Sequence, residues 1–474
     1  MNVQRLLIEK MKRIDPRLLP FADAASAELP LSRLLRLALF QVSVGMASVL
    51  LLGTLNRVMI VELGVSASLV ALMVALPFLF APFRALVGFR SDTHRSAFGW
   101  RRVPYVWTGT MLQFAGLAIM PFALLLLGSD HEAHPAVGQI SAALAFLLTG
   151  AGLHTTQTAG LALATDLAST EQRPRVVALM YVVLLMSMIV SGYLFSFVLA
   201  DFSPVRLIQT VQGAAAATLV LNVVALWKQE ARRRPEPREA SPGFGEAWKR
   251  FANKPQARRF LVAVGLGTAA FNMQDIILEP YGAEVLGLSV SATTMLTALL
   301  AAGSLAAFSL AAGLLAKGAH PCRLAAMGVL VGVLGFSMVI FAGAFISPLL
   351  FRAGVLAIGF GAGLFSVSTL IAAMNLDSGE QIGLALGAWG AVQATCAGLA
   401  IGLGGVLRDS LAMLGASGQL GKAFLASSSA YGVIYHFEIL LLFLTLVALG
   451  PLVRAWRRDE PAAPTRIQLA EFPN

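Results

Sequence analysis

Apolar runs of twenty or more residues recur throughout this chain. Each is long enough to cross the roughly 30 Å hydrocarbon core of a bilayer. Backbone that faces lipid must satisfy its own hydrogen bonds, so these runs are helices, and the polar side chains scattered among them sit on helices too. Composition agrees: the 474 residues are 57% hydrophobic and 13% charged, where a soluble domain is about one-quarter charged. The sequence therefore describes an all-α polytopic membrane protein. The first apolar run is a full span, and the residues before it are too polar for a cleavable signal peptide.

The pattern predicts twelve spans, at about 34–61, 66–89, 103–128, 137–163, 176–200, 205–228, 260–286, 291–316, 324–346, 350–374, 382–406 and 432–454. With the N-terminus in the cytoplasm, 30 of the 35 Lys and Arg fall on the cytoplasmic side, and only Arg57, Arg206, Arg352, Arg408 and Lys422 fall outside. The positive-inside rule then puts both termini in the cytoplasm. It also accounts for the net charge of +10 without a nucleic-acid partner. Residues 1–33 read as a cytoplasmic amphipathic arm. Leu6, Leu7, Met11 and Ile14 recur at helical spacing among Arg5, Lys10, Lys12, Arg13 and Arg17. Such a helix suits an anionic membrane surface, although a solvated basic tail explains the same residues equally well. A six-helix half at 34–228 and another at 260–456 are joined by a basic, proline-punctuated cytoplasmic linker at 229–259; a cytoplasmic tail covers 457–474.

The halves repeat one another. Leu63-Gly-Val-Ser-Ala-Ser68 returns as Leu286-Gly-Leu-Ser-Val-Ser291, and Leu167-Ala-Ser-Thr-Glu-Gln172 as Leu376-Asp-Ser-Gly-Glu-Gln381. Gly150-Ala-Gly-Leu-His154 returns as Gly361-Ala-Gly-Leu-Phe365, which sets Phe365 where the first half has His154. Three matches in one order, at offsets of 209 to 223 residues, mark a duplication. Two parallel six-helix repeats are the architecture of the major facilitator fold. The glycine pairs Gly328/Gly332 and Gly383/Gly387, spaced four apart, suit close approach of helix backbones. Gly359, Gly361 and Gly363 form no nucleotide loop, since no strand precedes them, and no nucleotide is expected. Cys322 and Cys396 are expected to be free thiols.

The loop Gly88-Phe-Arg-Ser-Asp92, followed by Arg101-Arg102, resembles the signature loop of the major facilitator superfamily, with a longer spacing between acid and basic pair. The resemblance implies a cytoplasmic latch made by Gly88, Asp92, Arg101 and Arg102. Ordinary positive-inside charge is the alternative. The second-half counterpart has Lys317 in place of the aspartate, so a latch is expected on one side only.

Further stretches narrow the resemblance: Leu19-Pro-Phe-Ala-Asp-Ala-Ala25, Leu39-Phe-Gln-Val-Ser-Val-Gly-Met46, Gly53-Thr-Leu-Asn-Arg-Val-Met-Ile-Val-Glu-Leu63 and Phe271-Asn-Met-Gln-Asp-Ile-Ile-Leu-Glu-Pro-Tyr-Gly282. Together they resemble the PucC/LhaA-type family, the bacteriochlorophyll-delivery branch of the superfamily. The resemblance implies an assembly factor for light-harvesting antenna complexes in the photosynthetic inner membrane of a bacterium. It implies transient binding of bacteriochlorophyll. Antenna polypeptides are the implied partners, with bacteriochlorophyll synthase and the membrane insertion machinery as further ones.

Ionisable groups inside a membrane are costly and tend to be functional. His154 is a candidate axial ligand to a chlorin magnesium, since imidazole is a common metal ligand. Gln157 and Thr158, three and four residues on, share its helix face and could hold pigment carbonyls. A histidine satisfied across a helix interface is the competing reading. His436 is a weaker pigment candidate, and no direct metal site is expected. His94, His131, His134 and His320 fall in loops. Near the outer ends of spans one and seven, Arg57 is expected to pair with Asp275 or Glu279 as a periplasmic latch. Proton carriage by the carboxylates and plain interfacial polarity are the alternatives. No catalytic triad, phosphate loop or catalytic carboxylate pair is present in the sequence, so an enzyme is not expected. A proton-coupled exporter of a tetrapyrrole or small amphiphile, and a pigment-free scaffold for antenna helices, remain as other function classes.

Overall fold

A computed structural model describes residues 25–26, 29–79, 100–128, 135–169, 172–230, 255–375, 382–417 and 427–456. The arm before residue 25, most of the linker, the tail after 456, Gly88 and Asp92 lie outside the described residues, as do His94, His131 and His134. The described chain is helical, with no strand. Its first half comprises α1 (Leu31–Glu62), α2 (Ala67–Leu79), α3 (Val103–Gly128), α4 (Pro135–Leu167), α5 (Arg173–Val198) and α6 (Pro204–Leu226). The second comprises α7 (Pro255–Asn272 and Leu278–Glu284), α8 (Val290–Ala316), α9 (Pro321–Ala344), α10 (Pro348–Asn375), α11 (Ile382–Ala416) and α12 (Ser427–Trp456). Ten of these helices are long and apolar enough to cross a membrane, and α7 makes eleven when its two parts, bent by 40°, count as one span. α2 is apolar but short within the described residues.

Several boundaries differ from the expected ones. α1 already begins at Leu31, inside the expected arm, and α11 runs to Ala416, ten residues into the expected loop 407–431. The extension carries Arg408 and Asp409, whose side chains bond to other helices (below), so tertiary contacts prolong the helix past its apolar run. Helix starts follow local chemistry. Ser203 and Ser289 accept hydrogen bonds from the amides of Arg206 and Ala292, and Pro204 and Pro321 sit at first positions where no amide donor is needed.

Small residues set the helix spacing, and they do so twice. A Cβ on Gly109 of α3 would stand 2.8 Å from the Gly152 carbonyl and 2.7 Å from the Thr156 amide of α4. A Cβ on Gly328 of α9 would stand 2.7 Å from the Gly361 carbonyl and 2.8 Å from the Phe365 amide of α10. Gly116 against Ala145 and Thr149 repeats as Gly335 against Gly354 and Ile358. These contacts pair α4 with α10 at an offset of 209 residues. Thr156 therefore corresponds to Phe365, and His154 to Gly363. This corrects the alignment that put Phe365 in the place of His154. The packing role expected of Gly328 and Gly332 holds, since Gly332 faces the Phe271 ring. The environments of Gly383 and Gly387 lie outside the description.

The halves meet along α5 with α8 and along α2 with α11. Gly192 faces Ala298 in the first seam, and Gly405 faces Ala67 and Ala71 in the second. Each half also has its own polar glue. In the first, Gln113 donates to the Ser43 carbonyl (2.9 Å), Ser43 to Asn222 Oδ1 (3.0 Å) and Asn222 to Thr110 Oγ1 (3.0 Å), which ties α1, α3 and α6. Arg33 with Gln229, and Arg259 with the Ala448 carbonyl, bring the starts of α1 and α7 to the ends of α6 and α12. That is the terminal end of the bundle; the end at Arg57 and Glu284 is the far end.

Candidate functional site

The far end is built on two irregular helices. α1 carries π-helical segments at Val49–Thr54 and Val58–Glu62. α7 breaks at a 3₁₀ turn, Met273–Ile276. Such irregularities are enriched at functional sites, because they re-aim side chains and leave backbone groups open to new partners. Here they interlock. Asn56 donates to the Asp275 carbonyl (3.0 Å) and to Glu279 Oε2 (3.4 Å), and Thr297 of α8 donates to Glu279 Oε1 (3.1 Å). Thr54 meets Thr294 at 3.3 Å, and Ser196 meets Ser291 at 2.9 Å. Glu279 is fully buried.

Arg57 does not pair with Asp275 or Glu279. Its guanidinium bonds Glu62 at 2.5 Å, with a longer contact to the Leu288 carbonyl at 3.4 Å. The π register explains the change. Residues five apart align along a π segment, so Glu62 stacks on the face that Arg57 occupies. Glu279 is left to neutral donors, and the clasp between α1 and α7 is one of amide and hydroxyl groups rather than an ion pair.

A second far-end cluster went unread in the sequence. Arg408 of α11 forks onto Glu284 at the end of α7 (2.8 and 3.0 Å), bonds its neighbour Asp409 (3.1 Å) and lies over the Tyr431 ring at 5.4 Å. Asp409 in turn accepts from the Ser68 and Ala67 amides (2.7 and 3.3 Å), so it caps α2 from the opposite half. Both residues lie just past the expected end of the eleventh span at 406, where a charge pair in a loop carries no signal. Glu438 was also missed. It is the one acid in α12, is wholly buried, and neither carboxylate oxygen has a hydrogen-bond partner at normal distance. The Gln274 backbone and Asp275 face it across α7. A lone acid in an apolar run was the available signal.

At the terminal end, Arg101 and Arg102 bond Asp166 of α4 (3.2 and 2.9 Å). Glu230 accepts from the backbone amides of Arg101, Arg102 and Val103. Asp166 belongs to the first half, and Glu230 lies four residues past the end of α6. Through these partners the basic pair ties the start of α3 to α4 and to Glu230. Its expected companions Gly88 and Asp92 lie outside the described residues.

The pigment candidates separate. His154 is half-buried, with its ring edge toward Phe78 of α2 at 5.9 Å between centroids. Thr158 spends its hydroxyl on the His154 carbonyl (2.7 Å), and Gln157 is buried. His154 and Thr158 are thus partly exposed, one turn apart, with Gln157 buried beside them. His436 instead lies exposed on α12, with Nδ1 2.7 Å from the Gly432 carbonyl. Two adjoining cavities of about 250 and 230 Å³ lie between the halves, beside Asn272 and Ser304, and neither is lined by His154 or His436. Cys322 and Cys396 are free, as expected.

The fold is that of the major facilitator superfamily. A bacterial homologue of the human lysosomal transporter Spinster, 14% identical, superposes with a TM-score of 0.67 over 92% of this chain and 98% of its own. In sequence the chain is 55% identical to Protein PucC of Rhodovulum sulfidophilum over 86% of this chain and 92% of that protein. It is 29% identical to the bacteriochlorophyll synthase 44.5 kDa chain of Rhodobacter capsulatus, over 86% and 92%. The PUCC protein family model matches residues 54–456, from the α1 clasp to the end of α12, and the chain belongs to that family.

Proposed function

We propose that this multi-pass membrane protein is a non-enzymatic assembly factor that carries bacteriochlorophyll to nascent light-harvesting polypeptides in the photosynthetic inner membrane of a bacterium. Family membership supports the role, and a relative named for bacteriochlorophyll synthase supports the cargo. The carrying observation is one of size. The cavities between the halves hold about 250 and 230 Å³, and even joined they fall in the lower part of the ~300–1,000 Å³ typical of pockets that enclose a drug-sized ligand. A chlorin with a long isoprenoid tail is larger still and partitions into lipid. Hand-over along the lipid-facing surface avoids both the narrow interior and any aqueous step. Bacteriochlorophyll synthase and the insertion machinery would be natural neighbours, one releasing pigment and the other releasing antenna helices.

A second reading has one observation in its favour. Glu279 and Glu438 are buried near a helix break, and Asp275 and Glu279 line the larger cavity, which is where a proton-coupled transporter keeps its coupling groups. The experiment is pigment hand-over from the loaded protein to an antenna polypeptide in sealed vesicles. The carrier reading expects the same transfer rate with and without an imposed proton gradient. Transfer that stops when the gradient is collapsed favours the transporter.

A further inference from the structure

We propose that His436 is the pigment attachment point: its Nε2 is the axial ligand to the magnesium of a chlorin docked on the lipid-facing side of α12. The inference rests on the carrier reading above and gives it a site. The hydrogen bond at His436 fixes the chemistry. A carbonyl only accepts, so Nδ1 must be the donor to Gly432, and in the neutral ring the lone pair then sits on Nε2. Metal-binding histidines are held this way, with the remote ring nitrogen donating to a backbone carbonyl so that tautomer and orientation are set before the metal arrives. A histidine on a lipid-facing surface is otherwise hard to account for, because a polar ring there costs free energy without a partner.

The surroundings fit a flat apolar macrocycle. Val433, Leu440, Phe443, Leu444 and Val447 are exposed on α12 and recur with His436 at helical spacing. The opposite face of the same helix buries Tyr431, Tyr435 and Glu438, so the histidine is not a stray member of the polar core. At Gly432, one turn away, an added Cβ would meet nothing within 4 Å, which leaves the helix surface open beside the ring. His436 stands nine residues from the start of α12 at Ser427, about 13 Å along the axis. At that depth a magnesium centre can rest in the hydrocarbon while its tail follows the acyl chains.

The test uses the full chain in lipid nanodiscs, titrated with bacteriochlorophyll a and, separately, with metal-free bacteriopheophytin a. Wild type is expected to bind the magnesium pigment more tightly than the metal-free one. His436→Leu should weaken bacteriochlorophyll binding by about tenfold or more and abolish the preference between the two pigments. In His436→Gly, added imidazole should restore the preference, a rescue that a purely structural role does not produce. His154→Phe should bind as wild type does. If His436→Leu and His436→Gly keep both affinity and preference, the site is wrong although the carrier reading stands. If wild type binds neither pigment, the carrier reading itself fails.

Discussion

Gly328→Leu is expected to cost about 3 kcal/mol of stability, enough to shift most of the protein into aggregates during gentle heating. At this position the neighbours are backbone atoms. The Gly361 carbonyl and the Phe365 amide would lie 2.7 and 2.8 Å from the first added carbon, and α10 cannot yield locally because Gly359 brings its other side against Leu300 of α8. The added side chain has to push α9 from α10 and, with it, open the Phe271, Phe336 and Phe365 aromatic cluster behind them. Gly109→Leu should do equal damage between α3 and α4, where the same contacts recur. Gly213→Leu is the control, since nothing lies within 4 Å of a Cβ there. Thermal denaturation followed by size-exclusion chromatography measures all three.

Removing the charge at Arg408 should have the next largest effect. Arg408→Gln leaves Glu284 without its forked partner and leaves Asp409 as an unbalanced anion at the start of α2. Leaving a largely buried partner unpaired costs about 2–3 kcal/mol; the groups here are about one-fifth exposed, at 20–23%, which argues for the lower end. The double variant Arg408→Gln with Glu284→Gln should recover part of the loss, because the second change removes the stranded charge. The loss should also be local. Asp409 bridges α11 to α2, so the far end should open before the rest of the bundle. A cysteine placed at the buried Thr54 should then react faster with a soluble maleimide in Arg408→Gln than in the parent. Equal labelling rates would mean that the cluster does not hold the halves together.

Much of the fold was legible because lipid imposes one periodic demand, a long apolar helix, and the sequence repeats it. The finer register was not. The Gly-Ala-Gly-Leu echo aligns α4 with α10 at an offset of 211 residues, while the packed backbones align at 209. Two residues turn a helix by about 200°, so the letter match compared opposite faces and set His154 against Phe365. The Leu167 and Leu376 stretches already carried the offset of 209. Arg57 was misassigned for a related reason. Helical spacing does not announce a π segment, and only that register brings Glu62 beneath Arg57. In the sequence His436 is the lesser candidate because it falls just inside the twelfth span, whereas His154 falls deep in the fourth. The structure adds what no spacing rule supplies: His436 is exposed with Nδ1 on the Gly432 carbonyl, and His154 is half-buried with its ring edge toward Phe78.

The central claim is that the protein carries pigment. The most direct measurement is the absorbance spectrum of the tagged protein purified in mild detergent from pigmented membranes, with pigment identity read by extraction and chromatography. The account predicts a bacteriochlorophyll band that co-elutes with the folded protein and is strongly reduced in His436→Leu. A folded wild-type protein that elutes free of pigment, while still supporting normal antenna assembly in cells, would contradict it.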